Sequence, residues 1–299
     1  MVNLRSKLGN SFRNVLGHLS PKMLCSYLYY RTFHQKINWK DPQTFNEWVC
    51  WLEFYSDTSL WTVLADKYKV REWIRNKGLE EHLPILYGVY DSENDIDFNT
   101  LPEKFVIKAN NGCAQLIIVK DKNTINVDEV KKKCKKWLET TFGYQSAEPH
   151  YIKIPRKIII EELLEDPNNT SLIDYKWFCF DGKPLYAQVV SERDFSKAHK
   201  FKIQVYDTDW NPHTEFLNRP ELKNNVNRPV MLNRQLEICN LLSKGFPQMR
   251  VDLYEVNNKV YIGEITMTNA AGRDVDFSYE FDHILGAEIK KLKCSGLKR

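Results

Sequence analysis

The chain has 299 residues, 42% hydrophobic and 27% charged, with a formal net charge of +4. That length suits a large core divided between two lobes, and the charge is too small to argue for nucleic acid as a partner. Seven scattered cysteines without a CxxC pair exclude a disulfide framework or a cysteine zinc site and read as reduced thiols of a cytoplasmic protein. No apolar run approaches the roughly 18 to 20 residues of a membrane span, and the opening segment lacks the continuous apolar core expected of a signal peptide.

Residues 1–40 carry seven Lys/Arg and no Asp/Glu. Leu4, Leu8, Phe12, Val15, Leu16 and Leu19 recur at helical spacing, with Arg5, Lys7 and Arg13 elsewhere on the wheel. The expectation is a helix whose apolar stripe packs on the body of the protein. The alternative is a basic amphipathic helix lying on the inner membrane, a peripheral contact through residues 1–20. Pro21 suits the first turn of a second helix. Thr44, with Glu47 three residues on, has capping-box spacing ahead of a core helix carrying Trp48, Val49, Trp51, Leu52 and Tyr55.

Residues 64–75 read as one helix with a basic side, ended near Gly78. Lys67 and Arg71 lie one turn apart on it, a spacing that reaches a phosphate and also occurs on any solvated face. Residues 83–90 are a short strand, and residues 101–120 are strand, small-residue loop, strand. Lys108 closes the first of these and faces away from Ile107. Small side chains from Asn110 through Asn111 and Gly112 to Gln115 let backbone N–H groups approach phosphate closely. This is no Walker A loop, because no Gly-Lys-Ser/Thr leads into a helix.

Residues 127–141 form a helix with a lysine-rich solvated face. Residues 155–164 form an apolar strand running into Glu161 and Glu162, with Leu164 beyond, a linker whose backbone groups suit adenine. Residues 174–190 form a hairpin turning at Asp181-Gly182. Asp174 and Lys176 share one of its faces, and a lysine on so apolar a strand needs an anionic partner. Arg193, His199 and Lys200 follow in a polar segment and are candidates for an anionic substrate. Asp207-Thr-Asp209 is read as a turn. Residues 231–244 are an amphipathic helix, and a last helix covers about 282–292.

The most informative stretch is residues 250–266, two strands joined at Asn257-Asn258. Alternation puts Arg250, Asp252 and Tyr254 on one face of the first strand, and Ile262, Glu264 and Thr266 on one face of the second. A two-residue turn pairs Asp252 with Gly263 and sends Glu264 the other way. A three-residue loop, 257–259, pairs Asp252 with Glu264 and Arg250 with Thr266. The three-residue loop is the expectation, because it makes one chemical site. Facing carboxylates repel unless a cation sits between them, and Mg²⁺, which joins carboxylates to nucleotide phosphates, is the natural guest. Arg250 beside them suits a phosphoryl oxygen. The small-residue loop 269–273 then seats a substrate.

Several segments in fixed order resemble the ATP-grasp family, and most closely its branch related to the teichuronopeptide-biosynthesis protein. They are DPQTFNEWVCWL (41–52), ADKYKVREW (65–73), FVIKANNG (105–112), IIIEELLED (158–166), DYKWFCFDGKP (174–184), YDTDWN (206–211) and RVDLYEVNNKVYIGEIT (250–266). The resemblance implies an α+β fold with two lobes of antiparallel sheet clasping ATP, plus an N-terminal helical segment. The expected organisation is a basic helical segment over 1–60, a first part with the phosphate flap over 61–162, and a lobe with the metal site over 163–299.

Carried over residue by residue, the resemblance implies that Lys67 and Lys108 contact the α/β-phosphates and that Asn110, Asn111, Gly112 and Gln115 close over the γ-phosphate. Glu161, Glu162 and Leu164 would line adenine, mostly through backbone, and Asp174 would hold ribose. Lys176 would lie near the phosphates or the acceptor, Asp252 and Glu264 would hold Mg²⁺, and Arg250 would stabilise the transferring phosphoryl group. Two positions depart from the family pattern. Thr266 stands where many members have a metal-binding Asn, with Asn269 as a substitute ligand, and Trp48 stands where Lys is expected.

The implied function is an ADP-forming carboxylate–amine ligase of capsule, O-antigen or cell-wall polysaccharide synthesis, acting on a uronic acid or another anionic saccharide, or on an amino acid. The alternatives are a kinase of a sugar or lipid-linked hydroxyl, a glycosyltransferase, and a non-catalytic scaffold of the same pathway.

Overall fold

The computed structural model describes residues 2–167, 171–194 and 201–294; His199 and Lys200 fall outside them. Within those residues the helices in chain order are α1 (Val2–Leu19), α2 (Pro21–Phe33), α3 (Phe45–Tyr55), α4 (Trp61–Ala65), α5 (Val70–Arg75), α6 (Val127–Glu139), α7 (Pro149–Ile152), α8 (Leu232–Ser243) and α9 (Tyr279–Cys294). The strands are β1 (Leu86–Tyr90), β2 (Phe105–Ala109), β3 (Leu116–Val119), β4 (Ile158–Glu162), β5 (Asp174–Phe180), β6 (Lys183–Ser191), β7 (Lys202–Asp207), β8 (Met249–Val256) and β9 (Lys259–Thr266).

The chain divides into two compact units, each gathered from separate stretches. The first comprises Met1–Cys25, Ser59–Trp73 and Pro84–Leu164, and the second Ser26–Thr58, Ile74–Leu83 and Glu165–Arg299. The opening 60 residues are therefore shared between the units.

The first unit holds a four-stranded antiparallel sheet in the order β1-β4-β2-β3. Alternation sends Phe105 and Ile107 of β2, with Ile158 and Ile160 of β4, into a core closed by Val130 and Cys134 of α6. The lysines of α6 at 132, 133, 135 and 136 are exposed, the solvated face expected of them. Lys108 and Glu161 belong to the opposite sheet face.

The second unit holds a five-stranded antiparallel sheet, β7-β6-β5-β8-β9. Its α8 face carries the buried Trp177, Val251 and Leu253, and the Trp177 indole donates to Gln235 of α8 at 3.0 Å. Lys176, Asp252 and their neighbours occupy the other face. The expected capping box starts α3: the Thr44 hydroxyl accepts from the Glu47 N–H, and the Glu47 carboxylate accepts from the Thr44 N–H.

The helix expected over 64–75 is broken. Asp66 adopts an extended conformation after α4, and its carboxylate accepts the N–H groups of Tyr68 at 2.9 Å and Lys69 at 3.3 Å. A short acidic side chain that captures nearby N–H groups competes with helix continuation. Lys67 thus lies in a turn before α5 and does not share a helical face with Arg71.

The stripe of α1 also departs from its expected packing. Phe12, Val15 and Leu19 are 50%, 56% and 78% exposed. Contact with the rest of the first unit is made instead at Gly17, which is buried, and at His18, whose ring stacks on Tyr144 at 3.6 Å.

Candidate functional site

The hairpin β8–β9 joins Asp252 to Glu264 by a route other than the expected one. The loop is two residues, with Val256 paired to Lys259, and Asn257 and Asn258 both in the left-handed region at φ 51° and 59°. That is the conformation of a tight hairpin turn, which Asn tolerates. The three-residue loop is therefore incorrect. A bulge restores the pairing instead: Leu253 pairs with Ile262, Gly263 is left over, and Asp252 then pairs with Glu264 and Arg250 with Thr266. The extra residue also moves Ile262 to the Leu253 side, so it does not share a face with Glu264 as alternation alone predicts. Only glycine fits there, since a Cβ on Gly263 would stand 2.5 Å from the Tyr254 ring.

Lys176 on β5 lies directly opposite Asp252. The two make a salt bridge between Lys176 Nζ and Asp252 Oδ2. Arg250 clamps the same carboxylate, Nε to Oδ1 at 2.6 Å and Nη2 to Oδ2 at 2.9 Å. Its remaining donors reach Asn269 Oδ1 and, at 3.0 Å, Thr266 Oγ1, and Glu264 lies 3.8 Å from Nη2. Burial pushes the Asp252 carboxyl upward, but Arg250 and Lys176 outweigh it and hold the group below the usual carboxylate range. Burial likewise opposes the Arg250 charge, and Asp252 more than compensates.

Polar groups behind this cluster hold it in place. Asn269 donates to Asp274 Oδ2 at 2.8 Å, and the Asp274 N–H donates to Asn46 Oδ1 at 2.8 Å. Ala270, Ala271 and Gly272, all at positive φ, bend the loop that presents Asn269. Such backbone persists only where its surroundings hold it, and here a Cβ on Gly272 would stand 2.4 Å from Cys50 Sγ of α3. Burial raises the Asp274 carboxyl. Asp174 accepts from Arg193 at 2.7 Å and from the Tyr254 hydroxyl, and its charge, with burial, pushes the phenol well up. Asp174 and Lys176 share a face as expected, and Arg193 is drawn to Asp174.

Asp252, Glu264 and Asn269 offer two carboxylates and an amide oxygen, a donor set hard enough for Mg²⁺. Among the described residues no three His, Cys, Asp or Glu side chains gather as a metal site. Two carboxylates are nonetheless the usual protein share of a Mg²⁺ shell completed by phosphate and water. The three groups already converge on one cation, the Arg250 guanidinium, so the residues present fit the ion in charge and donor type.

In the first unit, Lys67 Nζ donates to the Gly112 carbonyl at 2.8 Å, and its backbone N–H to the Asn110 carbonyl at 3.0 Å. Asn110 is a structural pin: its amide donates to Asp66 at 2.8 Å and Pro155 at 2.9 Å and accepts from the Lys157 N–H at 2.7 Å. Asn111 Oδ1 and Gln115 Oε1 are buried without a hydrogen-bond partner. Such unpaired acceptors are costly, and they lie on the loop expected to cover phosphate. The Gln115 side chain folds over Gly112, where a Cβ would stand 2.2 Å from Gln115 Oε1 and would push that side chain aside.

Lys108 and Arg71 share Glu161, at 2.8 and 2.7 Å, and Arg71 also donates to the Pro84 carbonyl at 2.6 Å. The Glu161 carboxylate is thus buried in an internal ion triad, and Arg71 is 5% exposed. The reading of Arg71 as a phosphate ligand or a solvated charge gives way to this structural role. Glu162 accepts from the Ile85 N–H at 3.2 Å, and Leu164 follows β4 half-exposed.

Asn46, Tyr254 and Asp274 were not legible as site residues. Their roles arise from contacts across 228 positions for Asn46 and Asp274, and only the position of Asn46 beside the capping-box Glu47 signals that α3 begins at a polar junction. The Asp207-Thr-Asp209 segment is the expected turn: Asp207 Oδ1 accepts the N–H groups of Asp209 at 3.0 Å and Asn211 at 2.8 Å.

A family model described as TupA-like ATPgrasp matches residues 47–290. No curated protein matches by sequence. Among solved structures, the chain is similar to D-alanine–D-alanine ligase from Bacillus anthracis, with 16% identity over 78% of this chain and 68% of that one, at a TM-score of 0.43. It is similar to the Helicobacter pylori D-alanine–D-alanine ligase, with 15% identity over 86% of this chain and 68% of that one, at 0.45. It is also similar to the ATP-grasp ligase PsnB with a minimal precursor, with 12% identity over 79% of this chain and 63% of that one, at 0.44.

Proposed function

The chain belongs to the TupA-like ATP-grasp family, and from that premise we propose that it is an ATP-dependent carboxylate–amine ligase. The observation that carries the reading is the Asp252–Glu264 cross-strand pair with Arg250 and Lys176 on the same face. Two half-buried cations beside two carboxylates form a preorganised field for a polyphosphate and its metal. Lys67, Lys108 and the loop Asn110, Asn111, Gly112 and Gln115 supply cationic and backbone contacts to the phosphates. Glu161, Glu162 and Leu164 line adenine, with the Glu161 side chain orienting Lys108, and Asp174 takes the ribose.

Mg²⁺ would be held by Asp252, Glu264 and Asn269, and when bound it neutralises charge on the β- and γ-phosphates. A substrate carboxylate oxygen attacks the γ-phosphorus, the bond to the ADP oxygen breaks, and an acyl phosphate forms. An amine then adds to the acyl carbon, phosphate leaves with the bonding pair, and the ammonium proton is lost to give an amide. Arg250 and Lys176 stabilise the charge on the transferring group, and no nucleophilic side chain is needed. The carboxylate is a uronic acid or another anionic saccharide of a surface polysaccharide, or an amino acid; the family name supports that pathway.

Calorimetric titration of ATP with Mg²⁺ into wild type and Glu264→Gln tests the reading. Metal-dependent binding, weakened about tenfold or more by the substitution, is the expected result, a difference of about 1.4 kcal/mol. Uronic acids and amines are then screened together for ADP release. A folded wild type that binds no ATP in the presence of Mg²⁺ would overturn the assignment.

A further inference from the structure

Asn269 serves a cation only with its amide oxygen forward, and two neighbours enforce that orientation. A primary amide has a donor end and an acceptor end, and half a turn exchanges them. On one side stands Arg250, a donor only, whose Nη1 donates to Asn269 Oδ1. On the other stands the Asp274 carboxylate, whose Oδ2 accepts from Asn269 Nδ2 at 2.8 Å. The reversed amide would set donor against donor at Arg250 and acceptor against acceptor at Asp274. Both faults would be buried, since Asn269 is 1% exposed.

Arg250 cannot keep this role beside a metal. A guanidinium and a divalent cation repel at a shared oxygen, so Arg250 gives up Asn269 Oδ1 when the metal position fills. Asp274 is then the neighbour that still holds the amide. Thr266 does not replace Asn269: it presents a hydroxyl, Oγ1 accepting from Arg250 Nη2 at 3.0 Å, where a hard cation prefers a carbonyl or carboxylate oxygen.

Asp274 is itself fixed by contacts on every polar atom but one. Its Oδ1 accepts the Asp276 N–H at 2.9 Å. Its own N–H donates to Asn46 Oδ1 at 2.8 Å, and its carbonyl accepts from Asn46 Nδ2 at 3.2 Å. The Asn46 N–H in turn donates to Asp282 Oδ1 at 2.9 Å. The first turn of α3 and the start of α9 therefore set where the Asp274 carboxylate stands, and its Oδ2 is left for Asn269. We propose that, on the ATP-dependent ligase reading above, Asp274 is a positioning residue of the metal site, which holds the Asn269 oxygen toward the cation position as a carboxylate behind a metal-bound histidine fixes that ring.

Calorimetric titration of ATP into the full-length protein, once with Mg²⁺ and once with EDTA, tests this. The ratio of the two affinities measures what the metal adds. Asp274→Asn is expected to lower that ratio about tenfold or more, while the affinity in EDTA and the circular dichroism stay those of wild type. Asn269→Ala should lower the ratio similarly, and Asp274→Asn added to it should cost nothing further, because Asp274 acts through Asn269. The exchange Asn269→Asp/Asp274→Asn should retain the metal-dependent gain, since a carboxylate at 269 shows an oxygen whichever way it turns. An unchanged ratio in Asp274→Asn, an equal loss with Mg²⁺ and with EDTA, or a further loss in the Asn269→Ala background would overturn the proposal and leave the ligase reading standing. A folded exchange variant without metal-dependent binding would do the same, even if Asp274→Asn alone fails to fold. A wild type whose ATP affinity ignores Mg²⁺ would remove the ligase reading, and the role of Asp274 with it.

Discussion

At the scale of single residues, Asp252 and Glu264 are paired across two strands yet differ in what they do for the fold. Asp252 is buried and neutralises two cations, whereas the Glu264 side chain is 34% exposed and stands 3.8 Å from Arg250. Removing one partner of a buried charge cluster leaves the others uncompensated, at a cost of about 3 to 5 kcal/mol. Asp252→Ala should therefore lower the stability measured by urea denaturation by that order. Glu264→Gln should stay within about 0.5 kcal/mol of wild type while losing metal-dependent nucleotide binding. Equal destabilisation by both would mean that Glu264 is a structural group.

Two buried titratable side chains act in opposite directions with pH. Burial raises Asp282 from 3.8 to about 6 and lowers His150 from 6.5 to about 4. For Asp282, the folded state holds the proton more tightly, so its effect on stability worsens as pH rises from about 4 to 6. For His150, the folded state disfavours the proton, so its effect improves with pH over about 4 to 6.5. Each amounts to about 3 kcal/mol, and in wild type they largely cancel. Asp282→Asn keeps an acceptor for the Asn46 N–H and removes the first effect. Its thermal midpoint should exceed that of wild type at pH 7 and match it near pH 4. A constant difference across that range would reject the assignment of the slope to Asp282.

At the scale of elements, the bulge in β9 decides whether a site exists. A one-residue slip in register sends every later side chain to the other face, and the leftover Gly263 makes that correction between a two-residue turn and the charged pair. Gly263→Val has no space beside Tyr254. The expected outcome is a loss of about 2 kcal/mol or more in stability, together with loss of ATP·Mg²⁺ binding, read by denaturation and calorimetry. A variant that folds and binds as wild type would show that the bulge does not position Glu264. The opposing lesson comes from Asp66. A local side chain–backbone competition broke a helix that apolar periodicity predicted, and it left Lys67 in a turn, hydrogen-bonded to the loop carbonyls of Asn110 and Gly112.

At the scale of the whole molecule, a ligand that binds only the folded state stabilises it by mass action, about 2.7 kcal/mol at a hundredfold excess over Kd. ATP with Mg²⁺ should therefore raise the thermal midpoint of wild type by a few degrees and leave that of Glu264→Gln nearly unmoved, while ATP with EDTA should shift neither. A shift that is indifferent to metal and to Glu264 would place the nucleotide elsewhere. In each unit the charged cluster, Lys108 with Glu161 in one and Lys176 with Asp252 in the other, stands on the sheet face opposite the apolar core. This follows from the two-residue period of a strand and is why charged residues such as Lys108, Lys176 and Asp252 interrupt otherwise apolar strands.

From its sequence alone, this protein's strands, its Asp181-Gly182 turn and its family order were determined, because periodicity, an Asp-Gly pair, and the spacing of FVIKANNG, IIIEELLED and RVDLYEVNNKVYIGEIT are local properties of the chain, whereas the length of the loop at Asn257-Asn258 was expected as three residues and is two. So was the shared face of Asp174 and Lys176, which needs only alternation. Only the tertiary structure decided that Glu161 is held by Arg71 and Lys108, that Asn46 and Asp274 support Asn269, and that α1 meets the first unit at Gly17 and His18. Those outcomes depend on which distant groups meet once the backbone is folded, 90 positions apart for Arg71 and Glu161, and no local pattern carries that information. The Asp252–Glu264 pair stands between the two. Its residues were legible, but their meeting rested on a bulge at Gly263, where the backbone passes too close to Tyr254 to leave room for a Cβ.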